Sequence, residues 1–77
     1  MVTVQLAVRS REGKTMVKVI ACLQPHPGDD ILADDHEFHV DAVALQAGES
    51  LALVRATHSS GRRLTKRVLL GMGFVAD

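Results

Sequence analysis

Aromatic residues are nearly absent from this chain of 77 residues, which contains no Trp, no Tyr and two Phe, Phe38 and Phe74. The core must therefore consist of Val, Leu, Ile, Ala and Met, which bury less area per side chain than aromatic rings do. A domain of this length buries only roughly 60% of the surface that its unfolded chain exposes. We therefore expect one marginally stable domain, residues 1–77, that gains stability by forming a homodimer or higher oligomer.

Cysteine and long apolar runs are also scarce. The single cysteine, Cys22, cannot form an intramolecular disulfide, and it lies in an apolar stretch where a buried, inert thiol is expected. No apolar run approaches the roughly 20 residues that cross a bilayer, and the first residues carry no charged segment followed by an apolar one. These features predict a soluble, cytoplasmic protein that does not bind membranes.

Basic residues are missing from the middle of the chain. From Gln24 to Glu49 there are seven acidic residues and no Lys or Arg, whereas the two flanks hold all nine basic residues. The formal net charge is zero only because these charges cancel. Such sorting predicts local potentials of opposite sign on a small surface.

The first half of the chain predicts a β-hairpin followed by a loop. Residues 2–9 alternate between apolar and polar types, and residues 15–23 are rich in β-branched side chains. Residues 10–14 between them include Gly13, which suits a hairpin turn. Two prolines then interrupt the strand pattern, which predicts a loop from residue 24 to about residue 35.

The second half predicts three more strands. They are expected over residues 37–45, 51–57 and 64–76, with turns at 46–49 and 59–61. A short helical turn over 41–47 and an amphipathic helix over 64–70 are the alternatives. The large aliphatic residues expected in the core are Val4, Leu6, Val19, Leu53, Val68 and Leu70.

Five short strands indicate a mainly β fold with a small antiparallel sheet. The sheet either closes partly into a barrel, SH3-like or OB-like, or stays open and pairs with a second copy of the chain. One short helical turn is compatible with both arrangements.

The densest set of metal-capable side chains lies at residues 36–41. On a strand, Glu37, His39 and Asp41 share one face and offer three ligands for a divalent ion, whereas His36 lies on the opposite face. No spaced pair of cysteines accompanies them. A solvated, acidic edge strand is the better interpretation. We therefore expect no metal and no cofactor, and a divalent-metal-binding domain is the third hypothesis.

Five basic residues surround the turn at 59–61. They are Arg55, Arg62, Arg63, Lys66 and Arg67. On an antiparallel hairpin they would form one basic finger able to neutralise phosphates. The chain has no Tyr or Trp on which bases could stack, and its acidic segment would repel a polyanion. Binding of nucleic acid by residues 55–67 is therefore the second hypothesis.

Catalytic motifs are weak in this sequence. His58 precedes Ser59 and Ser60, but neighbours on a turn rarely align for proton transfer, and neither a G-x-S-x-G elbow nor a P-loop accompanies them. We therefore expect that the protein is not an enzyme.

The sequence thus predicts a non-enzymatic interaction module. It would be a small oligomeric β domain that binds a protein partner, or a second copy of itself, through separate acidic and basic surfaces. The residues expected to bind the partner are Arg55, Arg62, Arg63, Lys66, Arg67, Asp29, Asp30, Asp34 and Asp35.

Overall fold

The computed structural model describes residues 1–46 and 50–77 as one curled, six-stranded sheet with a short helix. The elements in chain order are β1 (Val2–Arg9), β2 (Thr15–Cys22), β3 (Asp30–Ala33), β4 (His36–Leu45), β5 (Leu51–His58), α1 (Lys66–Gly71) and β6 (Val75–Ala76). The mainly β prediction is therefore confirmed. The turn expected at 46–49 lies, except for its first residue, outside the described residues.

The strands lie in the order β3-β4-β5-β1-β2-β6 and form a half-barrel. β1 and β5 pair in parallel, with Thr3 opposite Leu51 and Val8 opposite Ala56, while the other neighbours are antiparallel. The sheet is thus mixed and has six strands, where five antiparallel strands were expected. Because β1 and β5 run in the same direction, the β1–β2 turn, the β3–β4 turn and the loop after β5 all lie at one end of the sheet, here called the upper end.

The core lies on the inner face of the sheet. Val4 and Leu6 of β1 are fully buried, as predicted, together with inward-facing residues of β4 and β5. Two other core predictions are wrong: Val19 is exposed and Leu53 is only half-buried. Both side chains lie on the outer face, because side chains alternate between the two faces of a strand and their neighbours fill the inner face.

The C-terminal segment is a helix followed by a two-residue strand, so the predicted strand over 64–76 is wrong. The alternative helix over 64–70 is close to α1, whose first turn is capped by the Thr65 side chain, which accepts the Val68 N–H at 3.2 Å. In α1 only Leu69 is buried, while Val68 and Leu70 are 45% and 50% exposed. The prediction that Val68 and Leu70 belong to the core is therefore wrong.

Two features attach this helix to the sheet. The chain leaves α1 through Gly73, whose φ of 93° favours glycine, and Phe74 then packs against Phe38 of β4 with ring centroids 5.8 Å apart. The Lys18 ammonium of β2 donates to the Met72 carbonyl at 2.6 Å. Leu69, Met72 and Phe74 of this segment thus join the core on the inner face of the curled sheet.

The loop predicted for residues 24–35 contains the short strand β3. Its turn to β4 consists of Asp34 and Asp35, whose φ values of 50° and 64° are those of a two-residue hairpin with both central residues in the left-handed region. The strand predicted over 37–45 is confirmed as β4, and the helical alternative is wrong for residues 41–45. In β4 the register shifts at Asp41, which forms a β-bulge.

Candidate functional site

The upper end of the sheet brings together basic residues from both flanks of the sequence. The Arg11 N–H donates to the Leu64 carbonyl at 2.8 Å, and the Lys66 N–H donates to the Glu12 carboxylate at 2.9 Å. These two bonds hold the β1–β2 turn against the start of α1. We call the resulting surface the basic end; its residues are Arg9, Arg11, Lys14, Arg62, Arg63, Lys66 and Arg67.

The β1–β2 turn is held in one conformation by the buried Ser10. Its hydroxyl accepts the Lys14 N–H at 3.0 Å, and its backbone N–H donates to the Lys14 carbonyl at 2.7 Å. Gly13 closes the turn with a φ of 84° and donates its N–H to the Ser10 carbonyl at 2.9 Å. The backbone of a turn fixed in this way loses little conformational entropy when the turn binds a partner.

Glu12 keeps its negative charge within this basic surface. The hydrogen bond from the Lys66 N–H stabilises the carboxylate and lowers the pKa of Glu12 below its ordinary value of 4.5. Within residues 1–46 and 50–77, however, no Lys or Arg side-chain nitrogen lies within 4.0 Å of a carboxylate oxygen. The cationic side chains of the basic end are therefore available to an external anion.

Four of the five basic residues singled out from the sequence lie in this surface. They are Arg62, Arg63, Lys66 and Arg67, and all four are exposed. The predicted basic hairpin is wrong, because the chain enters a helix after residue 65. Arg55 lies instead on the outer face of β5, where it lines a shallow depression of about 300 Å³ with Arg9 and Asp41.

Arg9, Arg11 and Lys14 were not predicted from the sequence to bind a partner. Their clustering around a predicted hairpin loop was visible in the sequence. Their proximity to residues 62–67 was not, because it depends on the parallel pairing of β1 with β5.

The acidic residues predicted to bind a partner are divided between two places. Asp34 and Asp35 form the β3–β4 turn at the upper end. Asp29 accepts the backbone N–H of His26 at 2.9 Å, and Asp30 lies 3.2 Å from a ring nitrogen of His39. The acidic surface is therefore not one continuous patch.

Asp30, Glu37 and Asp41 form a separate acidic corner on the outer side of β3 and β4. With His39 they line an open depression of about 500 Å³. Asp41 accepts the Thr57 hydroxyl at 2.6 Å, and His39 faces Asp30. In the described part of the chain, no group of three or more His, Cys, Asp or Glu side chains converges in a way that could hold a metal ion.

A chain of hydrogen bonds joins His36, His58 and Ser60 beside the basic end. His36 Nδ1 lies 3.1 Å from His58 Nε2, and His58 Nδ1 lies 2.7 Å from Ser60 Oγ. The Ser60 N–H also donates to His58 Nδ1 at 3.2 Å, so this nitrogen is an acceptor and the proton of a neutral His58 lies on Nε2. The expectation that His58 and a following serine do not align is therefore wrong.

These hydrogen bonds fix the loop that carries Arg62 and Arg63. Ser60 Oγ accepts the Arg62 N–H at 3.2 Å, and the His58 ring packs edge-on against the buried Phe38 at a centroid distance of 5.4 Å. The arrangement polarises the Ser60 hydroxyl, which lies on the exposed surface. Its observed structural effect is to attach residues 58–62 to the core and thereby to position Arg62.

Other features of the structure add no further site. α1 has six residues, and in the described ranges no helix is long and apolar enough to span a membrane. The Cys22 thiol is half-buried, and this burial raises its pKa above 9.0. No protein-family model, curated protein or solved structure matches this chain.

Proposed function

We propose that this chain is a non-enzymatic interaction module that binds an acidic segment of a partner protein through its basic end. The supporting observation is that hydrogen bonds hold residues 9–14 beside residues 62–67, so that seven Lys and Arg side chains share one surface. Within the described residues, none of these side chains has a carboxylate at ion-pair distance. Exposed cations of this kind attract an anionic partner over a distance of about one Debye length.

The chemistry of the surface favours an acidic protein segment over nucleic acid. The sequence has no Trp or Tyr, and its two Phe rings, Phe38 and Phe74, are both buried, so neither Phe offers a platform for base stacking. Asp34 and Asp35 lie at the same end of the sheet as the basic end. A long polyanion that extended past the basic end would meet these carboxylates, whereas a short acidic peptide would not.

Direct binding measurements test this proposal. Fluorescence anisotropy compares a poly-Glu peptide with a DNA duplex of equal charge, each at low and at high salt. We expect the peptide to bind more tightly than the duplex, with an affinity that falls as salt rises. Tighter binding of the duplex would replace the proposal with nucleic-acid binding, and absence of binding to both would refute it.

Charge variants locate the binding surface. Arg62→Gln with Arg63→Gln should weaken peptide binding about 2- to 30-fold, from two exposed ion pairs of about 0.2 to 1 kcal/mol each. The matched control is Gln46→Glu with Ser50→Glu, which lowers the net charge equally at the opposite end of the sheet, where both residues are exposed. An equal loss in the control would mean that only net charge matters.

A second pair of substitutions tests whether residues 9–14 and 62–67 act as one binding surface. Arg11→Gln with Lys14→Gln changes only the β1–β2 turn, which the structure holds beside residues 62–67. It should weaken peptide binding to a similar extent. If it leaves binding unchanged, the two segments do not act as one surface.

A further inference from the structure

The two edges of the sheet are protected to different degrees. The edge strand β3 has four residues, begins at Asp30 and is followed by the Asp34–Asp35 turn, and charges of this kind discourage pairing with another chain. On the opposite edge, β6 covers β2 only at Met16 and Val17, and the Asp77 N–H donates to the Thr15 carbonyl at 3.2 Å. Beyond Val17, no described strand pairs with the edge of β2 that lies opposite β1.

The uncovered part of β2 exposes backbone groups and apolar side chains. Since Thr15 and Val17 direct their backbone groups toward β6, the alternate residues Val19 and Ala21 direct theirs toward the same open edge. The side chain of Val19 is 64% exposed and that of Leu23, just beyond the strand, is 78% exposed. Residues 19–23 contain no charge, proline or glycine, so none of the usual devices blocks pairing there.

We propose that residues 19–23 pair antiparallel with the same segment of a second copy of this chain, with Ala21 next to the two-fold axis. The length of the open edge determines this register. β6 occupies the edge at Val17, and Pro25, which has no N–H, follows shortly after Leu23. The open segment is therefore symmetric about Ala21.

This register matches apolar residues across the interface. On the outer face Val19 meets the partner's Leu23, so the two exposed side chains on this edge cover each other. On the inner face the half-buried Ile20 meets the partner's Cys22. Backbone groups of residues 19, 21 and 23 exchange hydrogen bonds with their counterparts, which extends the two sheets into one.

The pairing leaves the proposed binding surface open. In an antiparallel pair the upper ends of the two sheets point in opposite directions, so the two basic ends lie far apart and both remain exposed. Such a dimer could engage two acidic segments at once. Because the paired edge carries no charge, its stability should change little between low and high salt, unlike an association through acidic and basic surfaces.

Disulfide trapping tests the register. Ala21→Cys in a Cys22→Ala background places two thiols across the axis, where the Cα atoms of a hydrogen-bonded antiparallel pair lie about 5.5 Å apart, within the range for a disulfide. We expect nearly complete conversion to a covalent dimer under mild oxidation. The control, Leu32→Cys with Cys22→Ala, places an exposed thiol on the other edge strand, where Leu32 is 71% exposed. Equal cross-linking of both variants would overturn the proposal.

Sedimentation of the unmodified edge and of a charged edge provides an independent test. The wild-type chain should dimerise reversibly, and Val19→Lys should raise the dissociation constant at least about tenfold, while Leu32→Lys leaves it unchanged. A wild-type chain that is strictly monomeric at about 1 mM would overturn the proposal. Arg62→Gln with Arg63→Gln should not affect dimerisation, so this inference and the proposed function can fail separately.

Discussion

The substitution of Leu69 by Ala, compared with the same substitution at Leu70, tests the structure of the C-terminal segment. Leu69 is the buried residue of α1, whereas its neighbour Leu70 is half exposed. A strand over the same residues would bury Leu70 and expose Leu69, because side chains alternate along a strand. The two identical changes therefore separate the helix from the strand.

The expected costs follow from burial. Leu69 has no exposed surface, so its truncation removes the full transfer free energy of the side chain and leaves a cavity beside Met72 and Phe74, at a cost of about 3 to 5 kcal/mol. Leu70 loses roughly half of that transfer free energy and leaves no cavity, and Ala is a slightly better helix former than Leu, so its truncation costs about 1 kcal/mol or less.

Urea unfolding followed by circular dichroism measures both costs. A domain of 77 residues has a total stability of about 4 to 12 kcal/mol, so Leu69→Ala should shift the midpoint strongly or unfold the protein. Val68→Ala, at a second exposed helical position, is the additional control. If Leu70→Ala costs more than Leu69→Ala, the helix is wrong and residues 64–76 form a strand.

Three further predictions concern other parts of the molecule. Leu53→Ala should cost less than about 2 kcal/mol in urea unfolding and Leu6→Ala about 3 to 5 kcal/mol, and equal costs would contradict the assignment of the inner face. Glu12 has a lowered pKa in the folded state, so its ionised form contributes to folding stability above about pH 4.5, and this contribution is lost as the pH falls through the folded pKa. Melting curves of wild type and Glu12→Gln should therefore differ at neutral pH and converge in acid. Zinc should not raise the melting temperature near neutral pH, and tight stoichiometric binding that is lost in His39→Ala would contradict this expectation.

The sequence was sufficient for the strands with a clear pattern. β1, β2, β4 and β5 all coincide closely with predicted strands, because each has eight or more residues with an alternating or β-branched pattern. β3 was missed because it has only four residues, follows two prolines and precedes two aspartates, so its surroundings resemble a loop.

The C-terminal segment carries two patterns at once. Leu64, Val68, Leu70, Met72 and Phe74 have the same parity, which suits a strand. Leu69 and Met72 are also spaced by three residues, which suits one face of a helix. Local geometry decides between them: Thr65 caps the helix, and Gly73 with its positive φ reverses the chain so that Phe74 can reach Phe38. Of these interactions only the Phe74–Phe38 contact depends on a strand that lies far away in the sequence, β4.

The charge sorting in the sequence does not correspond directly to two surfaces. The central acidic segment is divided, because the β3–β4 hairpin directs Asp34 and Asp35 to the upper end and leaves Asp30 at the side of the sheet. The basic flanks are instead combined, because β1 and β5 are parallel neighbours and both of their exits lie at the upper end.

An alternating pattern gives the face of each side chain but not the direction of the neighbouring strand, so the sequence could not show that the two basic flanks meet at the upper end. Had β5 been antiparallel to β1, Arg11 and Arg62 would lie at opposite ends of the sheet. Separate clusters of three and four cations would then replace the basic end. The orientation of this one central strand pair therefore determines whether the chain has one basic surface with seven cations or two smaller ones.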